Sequence, residues 1–225
     1  LKKLSCSVNA LEWFRENKIF LKLQFLGIRQ TKASLVFDFL SDPCFETEEL
    51  KIETINLNIN PILQLVEKKL QFPSVKKLHY GTNEQEVHGK LPEILPKLLR
   101  AFLALFPSLE TLNLKISTEP LFISKTEDNF SPSADQLMNN FETMKKAIRN
   151  CEISPTVNIV FQNFIRLWFR IPVHELVAYF EDLTKTFSEK KIEGGTTWRI
   201  GEKKENVEIS MSVSAKKGTG LRFIS

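Results

Sequence analysis

The chain has few of the residues from which catalytic and metal sites are usually built. Its 225 residues include three cysteines and three histidines, all widely spaced: Cys6, Cys44, Cys151, His79, His88 and His174. No CxxC pair and no HExxH motif is present, so neither a disulfide framework nor a zinc site is expected. The eight glycines form no GxGxxG or GxxxxGK[ST] loop, and GxSxG is absent. These absences predict a protein that is not an enzyme and holds no cofactor or metal.

The sequence also lacks a long hydrophobic run and a strong excess of charge. The most apolar stretch, Leu91 to Phe106, contains Glu93, Lys97 and Arg100, so no membrane span is expected. The net charge of +4 permits an acidic partner without requiring one. Unpaired cysteines favour an intracellular location, cytoplasmic or nuclear. The first residue is Leu1 rather than methionine, which favours a segment of a larger protein.

What the chain does contain is a repeated phrase. Phe72–Tyr80 reads FPSVKKLHY and Phe106–Leu114 reads FPSLETLNL, 34 positions apart. Both fit the frame L-x-x-L-x-L-x-x-N, in which apolar residues enter a core and the intervening residues of a short strand face outward. The frame also fits segments beginning at residues 1 and 52 and, in its apolar positions only, a segment beginning at residue 20. Residues 157–161 alternate in the same manner and predict a sixth strand.

Helical patterns separate these strands. Asn60-Pro61 is typical of a helix start, Leu91 to Leu105 forms a strongly apolar helix, and Ser131-Pro132 precedes another amphipathic segment. Strand and helix in alternation predict an α/β fold with a parallel sheet and flanking helices over residues 1–163. Because the strand starts at 1, 20, 52, 75 and 109 are unevenly spaced, an irregular leucine-rich-repeat-like solenoid is expected.

The pattern changes in residues 164–225, which predict a second region. A helix carrying Val173, Leu176 and Leu183 is followed by three short alternating segments: Thr197–Ile200, Val207–Val213 and Leu221–Ile224. Turn signals at 203–204 and 217–218 make a small antiparallel cap the expected outcome. The polar stretch from Thr118 to Asn129 is expected to be a loop.

The outward positions of the predicted strands form a candidate binding face, which is expected to be concave. The candidate residues on this face are Lys22, Gln24, Asn56, Asn58, Lys77, His79, Asn113 and Lys115. None of the outward positions is acidic, although the chain has 27 Asp and Glu residues. A polar, lightly basic face suits an acidic or hydrogen-bonding partner, although a short set of positions can also lack acids by chance. Another protein is the expected partner, and nucleic acid is the alternative.

A second candidate surface contains Arg166, Trp168 and Arg170. Arginine interleaved with aromatic residues is typical of a protein-interface hot spot and, more loosely, of a base-stacking platform. The same pattern also fits a buried strand whose arginines extend to water.

The phrase at Phe106, with its copy at Phe72, resembles the irregular leucine-rich repeats of F-box-type proteins, particularly the Phe-rich, Lys-rich nematode-type forms. The resemblance covers residues 1 to about 163. It implies a scaffold that recognises a substrate or partner, as in adaptors of ubiquitin ligases, where an F-box docks on the ligase and the repeats hold the target. Residues 91–95 are the stretch most similar to an F-box, but they run directly into the Phe106 repeat and are better assigned to a repeat helix. An enzyme remains the third hypothesis, which would need a pocket that gathers His79 or Cys44 with carboxylates.

Overall fold

A computed structural model describes residues 2–84, 91–118, 121–126, 129–131, 133–149, 151, 153–167, 173–192 and 195–216. Within these residues six helices form: α1 (Val8–Glu16), α2 (Ala33–Leu40), α3 (Asn60–Glu67), α4 (Leu91–Leu105), α5 (Ala134–Arg149) and α6 (Val173–Thr186). The strands in the same residues are β1 (Lys3–Cys6), β2 (Leu21–Thr31), β3 (Phe45–Thr54), β4 (Lys77–Glu84), β5 (Thr111–Thr118), β6 (Leu121–Thr126), β7 (Asn129–Ser131), β8 (Thr156–Leu167), β9 (Ser188–Ile192), β10 (Gly195–Lys204) and β11 (Val207–Lys216).

The strands form one open sheet in the order β1-β2-β3-β4-β5-β8-β11-β10-β9. Every neighbouring pair from β1 to β11 is parallel, whereas β10 and β9 add to the sheet in the antiparallel sense. The β6–β7 hairpin lies beside the end of β8. An α/β fold with a mostly parallel sheet and flanking helices is therefore confirmed. The segments predicted to start at 75 and 109 pair directly as β4 and β5.

One apolar position recurs in register across six strands. The residues that lie side by side are Leu4, Leu26, Leu50, Leu78, Leu112 and Val157. The last five of these are fully buried. The intervals between successive members are 22, 24, 28, 34 and 45 residues, so the connection lengthens at every step along the chain. Each pair of neighbouring strands is thus joined by a different number of residues, although the strands lie side by side in one sheet.

The helices cover one face of this sheet. Parallel strands that advance in sequence order through right-handed crossovers place their helices on the same side. Consecutive helices from α1 to α6 contact one another. Beneath them, the ring of Phe102 on α4 lies 5.1 Å from that of Tyr80 on β4 and 6.3 Å from that of Phe106, and all three side chains are buried. The alternate residues of β4 and β5, on the opposite face, are exposed or half-exposed.

The C-terminal strands extend the same sheet. β10 and β11 are joined by a two-residue turn, Glu205-Asn206, in which Glu205 has a φ of 53°. The Asn206 Nδ2 donates to the carbonyl oxygens of residues 153, 154 and 155 at 2.7, 3.0 and 2.9 Å and thus attaches the turn to the segment that enters β8. Trp198 on β10 stacks on Phe180 of α6 at 5.0 Å. The predicted boundary between residues 163 and 164 falls inside β8, which pairs with β5 on one side and β11 on the other.

Two of the predicted strand frames are wrong. The third strand is β3, Phe45–Thr54, and not a strand that starts at residue 52; its buried residues include Leu50 and Ile52, whereas Ile55 is 47% exposed. On β2, the two core positions of the strand are filled by Leu26 and Ile28. The observed frame therefore starts three residues later than the frame predicted to start at Phe20. Both errors arose because apolar residues in the flanking turns completed a plausible frame, while the true β3 alternates apolar residues with glutamates.

Several local segments and turns differ from the predictions. The predicted loop at 118–129 contains β6 and begins β7, whereas the helix expected after Ser131-Pro132 is present as α5. Its start is capped by Ser133 and Gln136, whose side chains each accept a hydrogen bond from the other's backbone N–H. The turn predicted at 203–204 lies at 205–206, and β9 was not predicted. The segment Leu221–Ile224 lies outside the described residues. Among the described helices, none has both the length and the apolar content needed to cross a membrane.

Candidate functional site

The face of the sheet opposite the described helices, here called the open face, carries side chains in rows that run across the strands. One row contains Gly27, Lys51, His79, Asn113 and Asn158 in direct register from β2 to β8. The next row towards the carboxyl ends of the strands contains Glu53, Gly81, Lys115 and Val160. The parallel register therefore gathers residues that are far apart in sequence.

Three side chains of the first row, His79, Asn113 and Asn158, form a continuous hydrogen-bonded chain with Glu49, which lies on β3 opposite Lys77. These four residues are here called the His79 row. The Asn158 Nδ2 donates to the Asn113 Oδ1 at 2.9 Å. The Asn113 Nδ2 lies 3.2 Å from the His79 Nδ1, and the His79 Nε2 lies 3.0 Å from the Glu49 Oε1. The row spans four neighbouring strands, β3, β4, β5 and β8, and its side chains are half-exposed.

One direction of hydrogen-bond donation along the His79 row accounts for the contacts of all four side chains. If each amide N–H donates towards β3, the His79 Nδ1 accepts and its Nε2–H donates to the Glu49 carboxylate, which is the neutral tautomer. Both ring nitrogens of His79 are then engaged by other side chains. A general base needs a nitrogen that can accept a proton from substrate, so this geometry favours a pre-ordered binding surface over a catalytic base.

The open face is not free of carboxylates, contrary to the prediction. The corrected frame of β3 places Glu46, Glu49 and Glu53 on it. The Lys22 Nζ lies 3.8 Å from the Glu46 Oε2, and the Lys51 Nζ lies 2.7 Å from the Glu53 Oε1. The face is therefore of mixed charge around β3 and carries mostly neutral amides and hydroxyls from β5 to β11.

Asn56 and Asn58, both predicted on this face, have other positions and roles. They follow the end of β3, where the Asn56 Oδ1 accepts from the Ala33 N–H at the start of α2 at 3.2 Å. The Asn58 Oδ1 accepts from the Asn60 N–H at 3.1 Å, next to the start of α3. Their side chains order turns and helix starts, as Asn commonly does after a strand.

The remaining predicted residues of this face do lie on strands of one sheet. Lys77, His79, Asn113 and Lys115 come together on β4 and β5. Lys22 and Gln24 lie on β2, and Gln24 lines a shallow pocket of about 280 Å³. The residues that line the pocket are Lys3, Gln24, Phe25, Glu48, Glu49, Lys76, Lys77 and Glu110.

Little can be placed of the second predicted surface. The backbone of Arg166 pairs with that of Phe122 at the end of β8. Trp168 and Arg170 lie outside the described residues, as does His88. His174 belongs to the first turn of α6.

A separate charged cluster lies on the covered side of the sheet. The Lys145 Nζ, on α5, lies 2.7 Å from the Glu142 Oε1 and 2.6 Å from the Glu202 Oε2 of β10, and Arg149 contacts the other oxygen of Glu202. Burial opposes the charge of Lys145, but hydrogen bonds to the two carboxylates more than offset it and raise the Lys145 pKa. Hydrogen bonds from Lys145 and Arg149 lower the pKa of Glu202. These contacts hold β10 against α5 beside a cleft of about 340 Å³.

The cysteines are free thiols. Cys44 directly precedes β3 and is buried, and its Sγ lies 3.6 Å from the carbonyl oxygen of Leu11. Burial raises the pKa of both Cys44 and Cys6, so both favour the unreactive protonated form. Among the described residues, no group of three or more His, Cys, Asp or Glu side chains is placed to hold a metal ion.

Glu49 is the member of the His79 row that the sequence analysis missed altogether. Alternation of Phe45, Thr47, Leu50, Ile52 and Thr54 with charged residues is the signal that identifies its strand. Two adjacent glutamates, at 48 and 49, interrupt a strict two-residue period and hide that signal.

Comparisons of the chain with protein-family models, with curated proteins and with solved structures find no match. The resemblance to F-box-type leucine-rich repeats therefore rests on the sequence frame alone.

Proposed function

We propose that this chain is an irregular leucine-rich-repeat-like scaffold that recognises another protein through the open face of its sheet. The His79 row carries the proposal. It is a half-exposed, internally ordered line of polar groups across four strands. An interface assembled from such pre-ordered groups loses less conformational entropy on binding than one made from mobile side chains.

The position of the helices adds support. Parallel sheets are usually covered by helices on both faces, whereas the helices of the described residues lie on one side of this sheet, and the alternate residues of β4 and β5 on the other side are exposed or half-exposed. The nucleic-acid alternative depended on an open face without acidic residues. That condition is not met, because Glu46, Glu49 and Glu53 of β3 lie on the open face. Protein recognition is accordingly the one function proposed.

The test compares capture of partner proteins from cell extract by the immobilised wild-type chain and by charge-reversed variants. Lys77→Glu and Lys115→Glu alter exposed residues of the open face, and Lys97→Glu makes the same change at an exposed residue of α4 on the helix layer. We expect the open-face variants to lose about tenfold in affinity, equivalent to about 1.4 kcal/mol, and Lys97→Glu to bind as wild type. Undiminished capture by both open-face variants would overturn the proposal.

The resemblance to F-box-type proteins gives this recognition a specific form, selection of a target for a ubiquitin ligase. In cells that express the Lys115→Glu variant in place of the wild type, the captured protein should then have a longer half-life. An unchanged half-life, together with lost capture, would keep the scaffold function and remove the ligase role.

A further inference from the structure

Gly81 leaves a notch in the open face that no contact within the described chain explains. A β-carbon added at Gly81 would lie 3.7 Å from the Glu53 Cγ and 3.9 Å from the Ile52 carbonyl oxygen, which are ordinary contacts. Gly27 differs, because a β-carbon there would lie 2.9 Å from the Ser5 Oγ, which accepts a hydrogen bond from the Arg29 Nε at 2.8 Å. Glycine weakens a strand interior and often marks a place where another backbone approaches closely.

Positive charge flanks this notch. Lys115 lies directly opposite Gly81 on β5, and Lys77 lies four residues before Gly81 on β4. Both lysines are exposed, and within the described residues neither forms an ion pair. Two carboxylates of β3 on the same face are paired with other side chains, Glu49 with His79 and Glu53 with Lys51.

The two lysines differ in how far neighbouring carboxylates balance their positive charge. Lys77 shares its shallow pocket with Lys3, Lys76 and three glutamates, so neighbouring carboxylates partly balance it. The cross-strand neighbours of Lys115 are Gly81 and Val160, neither of which is charged. An acidic partner should therefore depend more on Lys115 than on Lys77.

The spacing of these groups matches an extended polypeptide. Lys77 and Lys115 are one strand apart and offset by four residues along the strands. At about 3.4 Å per residue this offset is about 14 Å, the distance between side chains i and i+4 on one side of an extended peptide. Residue i+2 of such a peptide would lie over the His79–Asn113 pair, and residue i+4 would enter the Gly81 notch.

We propose that the open face binds an extended acidic peptide segment that lies along β4 and β5. The carboxylate of residue i meets Lys77, and that of residue i+4 meets Lys115 beside the Gly81 notch. This inference rests on the proposed function, since it names the kind of partner that the open face takes.

The experiment uses the full chain and three fluorescein-labelled nine-residue peptides of Ser, Thr and Ala, followed by fluorescence anisotropy. The first peptide has aspartate at its third and seventh positions, the second has aspartate at its third and fourth, and the third has asparagine at its third and seventh. We expect the first peptide to bind about tenfold more tightly than either control, with affinity that falls as salt rises from about 0.01 to 0.15 M.

Two variants locate the peptide on the face. Lys115→Glu removes the isolated cation, and Gly81→Leu fills the notch at a position with room for a side chain, so each should weaken the first peptide about tenfold or more. Lys97→Glu on α4 should leave its affinity unchanged. Circular dichroism and thermal unfolding of each variant confirm that the fold is retained.

The outcomes separate this inference from the function on which it rests. Equal binding of the first two peptides, no binding of any peptide, or undiminished binding by both Lys115→Glu and Gly81→Leu would overturn the acidic-peptide proposal. If open-face variants still lose captured protein in any of those cases, protein recognition stands with a different kind of partner. If they keep it, both proposals fail.

Discussion

The two faces of this sheet are built from alternate residues of the same strands, yet they obey different rules. The covered face is almost wholly apolar, and its residues Leu78, Tyr80, Leu112 and Leu114 are buried. The open face carries Lys77, His79, Asn113 and Lys115 from the same two strands. We therefore expect stability and recognition to be separable, because residues on opposite faces share few contacts and their substitutions should act independently.

The largest effect is expected from Phe102→Ala on the covered side. Its ring is fully buried between those of Tyr80 and Phe106, so truncation should lower the free energy of unfolding by about 3–5 kcal/mol. Urea denaturation followed by circular dichroism measures the change. A loss below about 1 kcal/mol would mean that the covered face is not a close-packed core.

The next effect is expected from Glu202→Gln, which alters the charged cluster of the covered side. Because the folded-state pKa of Glu202 is lowered, its contribution to stability is present above about pH 4.3 and is lost as the pH falls through the folded-state value. The difference in unfolding free energy between wild type and variant should therefore narrow as the pH is lowered from about 6 to 3. Urea midpoints across this range test the expectation, and a constant difference would contradict it.

A smaller effect is expected from Asn113→Ala on the open face. The side chain makes two hydrogen bonds in a half-exposed row, so its removal should lower the free energy of unfolding by about 0.5–1.5 kcal/mol. Captured protein should nevertheless be lost, because the row is interrupted at its centre. A stability loss as large as that of Phe102→Ala would remove the distinction between the faces.

The smallest effect is expected from Gly81→Ala, with Gly27→Ala as its matched partner. Alanine at position 81 makes only ordinary contacts and should raise the free energy of unfolding by about 0.5–1 kcal/mol. Alanine at position 27 would press on Ser5, so we expect no gain there. Equal gains in both variants would show that the two glycines do not differ as their surroundings indicate.

The covered face could be predicted from the sequence, and the open face only in part. The copies at Phe72 and Phe106 identify β4 and β5 because their apolar residues keep a strict register, and Lys77, His79, Asn113 and Lys115 follow from it. The frame failed at β3, where glutamates dilute the apolar signal and where Ile55 and Leu57 in the following turn offer an equally good match. The predicted frame was placed too late along the chain. Glu49 therefore lies before it, and Asn56, which follows the end of β3, falls at one of its outward positions.

Contacts that join distant segments were also beyond sequence reasoning. The pairing of Glu49 with His79 depends on which strands are neighbours and on a diagonal reach between them. Glu202 contacts Lys145 only because β10 returns beside α5 through a hairpin whose turn contains Asn206. Neither pair has a local signature along the chain.

The helix-on-one-side arrangement also has a consequence for the shape of the molecule. Neighbouring strands are about 4.8 Å apart, whereas packed helices need about 8–10 Å between their axes. With each of the first four strands followed directly by one helix, the outer layer is wider than the inner one. We therefore expect the sheet to bend towards the open face, so that a ligand bound on this face is contacted from both sides.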